Sequence, residues 1–534
     1  MTLINKIISR GSGNVLRKPT VFFPQHKRTF LNDLFQSKQT HSDVLSKKIN
    51  LPNNPSKDLS QIKIESPITD SIKSAVNNDI LSCNISHLEN GVTVVSKNIP
   101  ELRTVTAGVF IKTGSRAEIY NNNGVAHFLE HLAFKGTRKR TKYEMESFFE
   151  NNGCHLNAYT SRENTVYFSH ALKEHVETVI DVISDIVTNS KFEKKDIDNE
   201  RDVIIRESEF VDSQYDEVVF DHLHSVIFKE SSLGFPILGP IENIKKIDRQ
   251  DIKSFTNKHY KGDRMVVVGV GSVEHESFVE IVKKHFGKLP KAEKIENFAE
   301  QIETEREVLH IKPTKFFSGE KKLQNDNVTT TNIAIAIQSA SWSSKDYFKS
   351  ILAQSIVGNW NKHEGQGTNN SSPLVAAASK ANGTKGLAES YMSFSTTYGD
   401  IGIWGIYLVL DSNQQQNPQV IISEVIKEWK RLARGDISDY EFERCKSLLV
   451  SSLVLSLDAT TPIFEEIGRQ VCTMGKTYSI KDIINTLESI QKDDVISWCQ
   501  QSLSESSPVA IVSFGQTSQV PSLDEIKSLL HNKQ

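Results

Sequence analysis

The stretch Gly124-Val-Ala-His-Phe-Leu-Glu-His-Leu-Ala-Phe134 places two histidines, His127 and His131, four residues apart, with Glu130 between them. The spacing is helical, and on a helix positions i and i+4 lie one above the other, so both imidazoles can converge on one ion. Glu130 follows His127 by three residues and is turned aside by roughly 60°. It can reach a water on that ion without being a ligand. The pattern is H-x-x-E-H, the reverse of the commoner zinc-peptidase order. With 16 His in 534 residues, chance supplies only about 0.03 such patterns in the chain.

A catalytic zinc site wants three protein ligands and one open position, so a third donor must come from elsewhere. Asn199-Glu-Arg-Asp-Val-Ile-Ile-Arg-Glu207 offers two carboxylates on one helix face. Glu200 and Glu207 are seven residues apart, about 10.5 Å along the axis, so only one can bind the ion. The other can hydrogen-bond a ligand histidine. Standing alone, this segment reads as a solvated charged face with Glu–Arg pairs. Two His and a carboxylate suit Zn2+, one ion per chain, with manganese or cobalt able to substitute.

Outward from the motif the chain reads as two halves of one plan. Strands are expected at 92–95 and 104–111, a helix from 124 to about 134, and strands at 156–159 and 165–168. Helices follow at about 174–187 and 193–209, then Met265-Val-Val-Val-Gly-Val-Gly271 as a strand and a helix near 278–286. The second half repeats this weakly. Strands are expected at 308–311 and 331–337, a helix near 347–357, and a hairpin of 391–398 with 401–410 around Gly399-Asp400. Helices at about 420–432 and 439–457 follow, and Val509-Ala-Ile-Val-Ser-Phe-Gly515 echoes the end of the first half before a last helix. The fold class expected is α+β: two similar domains, each a mostly antiparallel sheet covered by helices, joined by a linker. The boundaries read as 81–290 and 311–534, with a linker at 291–310.

The 534 residues are enough for three or four domains' worth of core. No run approaches the ~18 apolar residues of a membrane-spanning helix. The five cysteines are odd in number and contain no C-x-x-C pair, which excludes a cysteine zinc cage and suits a reducing compartment. A formal charge of −3 excludes a generally basic nucleic-acid coat, yet the charge is uneven. Residues 1–32 carry Lys6, Arg10, Arg17, Lys18, Lys27 and Arg28 with no acid before Asp33. Subtracting those six leaves 57 basic against 66 acidic residues, a net of −9. Basic, acid-free and interleaved with Leu and Ile, residues 1–30 have the composition of a mitochondrial transit peptide, with cleavage expected after Arg28-Thr29-Phe30. Residues 31–80, rich in Ser, Asn and Lys, are expected to be a polar, disordered extension.

The zinc motif, Glu200–Glu207 and Leu156-Asn-Ala-Tyr-Thr-Ser-Arg-Glu163 together resemble the pitrilysin family of inverted zinc metallopeptidases. Pro236-Ile-Leu-Gly-Pro-Ile-Glu-Asn243, His259-Tyr260, Val357-Gly-Asn-Trp360 and the segment from Ser393 to Gly405 continue the resemblance, which covers about residues 84–534. It implies zinc on His127, His131 and Glu207, Glu130 as general base, and Glu200 behind a ligand histidine. It implies a catalytic, β-type subunit in a heterodimer with an α subunit, the two closing a chamber in the mitochondrial matrix. The substrates implied are extended presequences of imported precursor proteins, with an arginine near the cut. These would add as a strand beside Asn157, Ala158 and Tyr159. Glu217 and Asp221 match the acids that receive the arginine, and Phe134 the pocket for an aromatic residue after the bond. Tyr398 matches a catalytic tyrosine contributed by the second domain, although Tyr391 stands where related peptidases have its arginine companion. The alternative of the same ancestry is a core subunit of the inner-membrane respiratory cytochrome reductase complex, structural or bifunctional.

Overall fold

The computed structural model describes residues 79–292, 314–364, 372–379, 386–414 and 416–531. The expected transit peptide, almost all of the expected polar extension, nearly all of the expected linker and the strand expected at 308–311 lie outside the described residues.

Each half is built on a six-stranded sheet. The first runs in the order β1 (Asn84–His87), β2 (Thr93–Asn98), β6 (Met265–Gly271), β3 (Thr104–Ile111), β5 (Thr165–Leu172), β4 (His155–Thr160). The second runs β7 (Gly319–Gln324), β12 (Val509–Gly515), β8 (Thr330–Ser339), β11 (Gly402–Asp411), β10 (Ser390–Thr397), β9 (Asn359–Asn361). In each sheet one neighbouring pair is parallel, β2 with β6 and β7 with β12, and the other pairs are antiparallel. The five-strand run from β2 to β4 thus has its counterpart in the run from β7 to β10. The expected α+β duplication with mostly antiparallel sheets is what the chain forms.

Packing reveals an exchange that periodicity alone does not show. In β3, Val105, Ala107, Val109 and Ile111 face the first half's own helices Val125–Leu132 and Val176–Asn189, while Phe110 faces the other way. There it meets the Thr460–Met474 helix of the second half, packing against Phe464 with the rings tilted by 39° and their centroids 4.9 Å apart. Gly468 on that helix lies flat on the Phe110 ring, and a Cβ would stand 2.1 Å from it, so only glycine allows the approach. The second sheet receives the reciprocal helix, Tyr215–Ile227 of the first half. β8 alternates Ile333, Ile335 and Ile337 toward its own helices with Ala334 and Ala336 toward Val219, Leu223 and Ile227. The small alanines let that helix come close. Both faces of both central sheets are therefore buried, which is why Met265–Gly271 reads as an unbroken apolar run. The two halves share cores as well as a linker.

The same crossing carries polar ties. Arg116 grips Asp400 with both terminal nitrogens, 2.9 and 2.8 Å, and Glu163 at 2.7 Å. Gly399 donates its N–H to Glu163 at 3.1 Å. Elements absent from the sequence reading include β1, a short polar edge strand, and the helices Lys142–Asn151, Arg249–His259 and Thr460–Met474.

Candidate metal centre

The helix Val125–Leu132 begins at Gly124, whose φ of +106° is left-handed, and a Cβ there would lie 2.7 Å from Leu238 O. Gly239 crosses it just as closely. Glycine at both positions lets the segment around Pro236 lie across the start of the helix. Behind this start sits Glu118, fully buried, accepting from Gly124 N at 3.0 Å, Ala126 N at 2.7 Å and Asn123 Nδ2 at 2.6 Å. It satisfies donors that every helix leaves free at its N-terminus and sets a carboxyl where the helix dipole is positive. Burial pushes its pKa up to about 8 against the pull of those three donors. Sequence reasoning missed it, because a cap is sought one residue before the helix and Glu118 returns from a separate turn. Glu118→Ala is expected to cost about 2–4 kcal/mol in stability by stranding three buried donors, seen as a lowered urea midpoint with unchanged m value.

The second helix, Lys194–Val211, buries Ile197, Glu200, Ile204 and Glu207 in one stripe. The two carboxylates occupy apolar-stripe positions and are not on the solvated face. Arg201 fixes the helix by donating to Ile244 O at 3.0 Å and Ile247 O at 2.7 Å. The stripe meets the histidines. One donor atom each from His127, His131 and Glu207 lie within 4.8 Å of one another. His131 Nε2 is 2.9 Å and His127 Nε2 3.7 Å from Glu207 Oε2. Bonds of ~2.0–2.2 Å to a tetrahedral ion separate donors by ~3.4 Å, so this set fits a zinc-sized cation.

Glu200 stands one step back. Its Oε2 accepts from His131 Nδ1 at 3.3 Å and its Oε1 pairs with Lys135 Nζ at 2.6 Å. Burial alone would raise the Glu200 pKa, but those two partners hold it below the ordinary glutamate range. Burial likewise acts to lower the pKa of His131, and the hydrogen bonds to Glu200 and Glu207 overcome it, raising it to about 9. A cation here competes with a proton, and the Nδ1 contact to Glu200 leaves Nε2 as the coordinating atom. Glu130 lies on the same helix, 6 % exposed, and is not one of the three converging donors.

The helix Val125–Leu132 packs on β4, which carries Asn157, Ala158 and Tyr159 and is the last strand of its sheet among the described residues. The Tyr159 hydroxyl donates to Glu465 of the second half. Phe134 is half-buried just past the metal helix. Glu217 and Asp221 sit together on the Tyr215–Ile227 helix, both half-buried, with Arg162 Nη2 2.6 Å from Asp221 Oδ1. Tyr398 directly follows β10 of the second half. It is buried against Phe228 and His224, and its hydroxyl donates to His224 Nε2 at 2.6 Å while His224 Nδ1 donates to Phe220 O at 2.7 Å. Burial and the Arg162 charge push the His224 pKa well down, and burial pushes that of Tyr398 up to about 12, so the proton stays on the phenol. Tyr391 is buried in the second half's core, its hydroxyl on Val357 O at 3.2 Å.

Residues 93–241, which hold every one of these metal-centre side chains, match the family described as insulinase (peptidase family M16). Residues 246–449 match its companion, the peptidase M16 inactive domain. The chain is 48% identical over 458 residues, 86% of this chain and 96% of the relative, to the mitochondrial-processing peptidase subunit beta of Saccharomyces cerevisiae. It is 36% identical over 445 residues to the Bos taurus protein of the same name, covering 83% of this chain and 86% of that one. Among solved structures, a chain of complex III2 from Candida albicans superposes with a TM-score of 0.72 at 21% identity, covering 84% of this chain and all of that one. A protease from Helicobacter pylori superposes at 0.70 and 18% identity, covering 81% and 99%. At those identities the superpositions speak for the fold alone.

Proposed function

The chain belongs to the insulinase (peptidase M16) family of metallopeptidases, and from that premise we propose that it is the catalytic β subunit of a mitochondrial processing peptidase. In this reading it is a zinc endopeptidase that removes N-terminal presequences from imported precursor proteins in the matrix, as a heterodimer with an α subunit. The observation that carries the reading is the convergence of His127, His131 and Glu207 on the helix pair that also carries Glu130, in a chain 48% identical to a β subunit of that name over 86% of its length. The basic, acid-free first 32 residues fit a matrix address.

A zinc ion, when bound, supplies a Lewis acid that polarises the scissile carbonyl and brings the pKa of a water toward about 7. His127, His131 and Glu207 would hold it. Glu130 takes the proton of the attacking water and passes it to the leaving amine. Glu200 keeps His131 oriented with Nε2 forward. The outer edge of β4, unpaired among the described residues, takes the peptide backbone as an added strand, through Asn157, Ala158 and Tyr159, which sets the scissile bond against the metal helix. Phe134 offers an apolar wall to the residue after the bond. Glu217 and Asp221, i and i+4 on one helix, receive the arginine as a carboxylate pair. Tyr398 reaches a developing oxyanion only by giving up His224.

The test is cleavage of an arginine-bearing presequence peptide by the purified chain, alone and with its copurifying partner. Cutting by the pair and not by the chain alone is the expected result. Cutting by the chain alone would replace the heterodimer with an independent peptidase. No cutting by either, with metal bound, would favour a core subunit of the respiratory cytochrome reductase complex.

A further inference from the structure

One helix of the second half, Thr460–Met474, lies across three neighbouring strands of the first sheet. Thr460 Oγ1 meets Thr106 Oγ1 of β3 at 2.8 Å, Phe464 packs on Phe168 of β5 with ring centroids 5.4 Å apart, and Glu465 accepts from the Tyr159 hydroxyl of β4. The Tyr159 ring stands edge-on to Phe168 with centroids 6.5 Å apart. Ala158 points the other way, into the core beneath the helix Val125–Leu132, while Tyr159 packs against the core shared with the second half. The β4–β5 hairpin closes with Ser161 N donating to Asn164 O at 2.8 Å. An antiparallel ladder alternates from there, so Tyr159 pairs its backbone with Val166 and Ala158 turns its N–H and C=O to the outer edge. In keeping with this, Ala158 N donates to the Asn157 side-chain oxygen at 2.9 Å.

Resting on the reading of β4 as the strand beside which the peptide adds, we propose that Glu465 is a positioning residue for the substrate, contributed by the half that holds none of the three metal donors. It acts through Tyr159. Among the described residues β4 is the last strand of its sheet. Such a strand opens more readily than a central one, and a peptide that must first order it binds more weakly. Tyr159 is held at both ends, its backbone by β5 and its hydroxyl by the second half, and the outward groups of Ala158 beside it are fixed with it. A carboxylate acceptor makes this tie stronger than a neutral one would. Burial, with the Glu465 charge after it, pushes the Tyr159 pKa well up, so the phenol keeps the proton that makes the tie. The strand edge therefore stands in its binding position before the peptide arrives.

The experiment measures cleavage of an arginine-bearing presequence peptide by the chain with its copurifying partner. Glu465→Ala is expected to raise KM roughly tenfold and to leave kcat within about twofold. Glu465→Gln, which still accepts from the hydroxyl, is expected to recover most of that loss. Tyr159→Phe is expected to match Glu465→Ala, and the double variant to be no worse than either single change. Melting temperature and metal content tell a folded variant from a damaged one. Should Glu465→Ala fail to fold, Tyr159→Phe, which removes one oxygen atom, decides alone. A KM within about threefold of wild type in the folded variant overturns the proposal. So do a Glu465→Gln no better than Glu465→Ala and a double variant whose loss is the product of the two singles. A loss in kcat with KM unchanged overturns it as well, since the contact would then serve the reacting groups. Peptides N-methylated at alternate backbone amides test the reading beneath: if no position raises KM, strand addition is wrong and Glu465's role goes with it.

Discussion

Glu130→Gln is expected to bind its metal at full stoichiometry and to cut kcat on a presequence peptide by roughly 10³-fold. The substitution keeps the volume of a nearly buried side chain and leaves the three converging donors as they are. It removes one property, the ability of a carboxylate to accept a proton. The start of the helix that carries the residue is set by Glu118, Gly124 and the crossing at Gly239, which the substitution leaves as they are. Metal analysis beside single-turnover cleavage checks both halves of the expectation. Activity within tenfold of wild type would mean that another group moves the proton. Loss of metal would mean that Glu130 is a ligand.

The metal centre was legible in the sequence because its rules are local. A turn of helix brings His127 over His131 whatever surrounds it, and the spacing of Glu200 and Glu207 says that both face one way. Choosing between those two carboxylates needed the resemblance, and it is Glu207 whose carboxylate lies with the two histidines in the candidate group. Ile197, Glu200, Ile204 and Glu207 form one buried stripe, with Glu207 at the level of both imidazoles and Glu200 at the level of His131 Nδ1 and Lys135. A charged helix with its acids in the apolar stripe is a sign that something cationic lies opposite. That sign can be read from the positions of Ile197 and Ile204 alone.

What was not legible is non-local. Periodicity shows that a helix has an apolar face and says nothing about whose sheet will bury it. The exchange of Tyr215–Ile227 for Thr460–Met474 between the halves is therefore invisible in either segment. Its traces are indirect: Ala334 and Ala336 alternating with isoleucines in β8, and Gly468 in mid-helix where glycine is otherwise a cost. The same exchange decides the position of Tyr398. The helix it packs on belongs to the first half and brings His224 to its hydroxyl, a pairing across 174 residues. Glu118 and Arg162 belong to this class too, since each acts on an element reached only after the chain has turned back.

Glu207→Gln should separate the ligand from its neighbour more sharply than any other change, with metal affinity falling well beyond the 10–100-fold typical of a partner behind the ligands. Glu207 Oε2 is the atom toward which both Nε2 atoms point, at 2.9 and 3.7 Å. An amide oxygen in its place brings no charge, and the one anionic donor that converges there among the described residues is gone. Glu200→Gln keeps an acceptor for His131 Nδ1 and loses only the ionic half of its contacts with His131 and Lys135, so its loss should stay inside that 10–100-fold range. Added Zn2+ supplies a readout independent of catalysis, because a ligand that binds only the folded chain stabilises it by RT ln(1 + [L]/Kd) and so raises its melting temperature. Wild type should show that rise at micromolar zinc, Glu200→Gln at higher zinc, and Glu207→Gln not at all. Full stoichiometric metal in Glu207→Gln would remove it from the ligand set. A larger loss in Glu200→Gln than in Glu207→Gln would exchange the two roles, since on a helix whose stripe carries both carboxylates only one can stand at the ion.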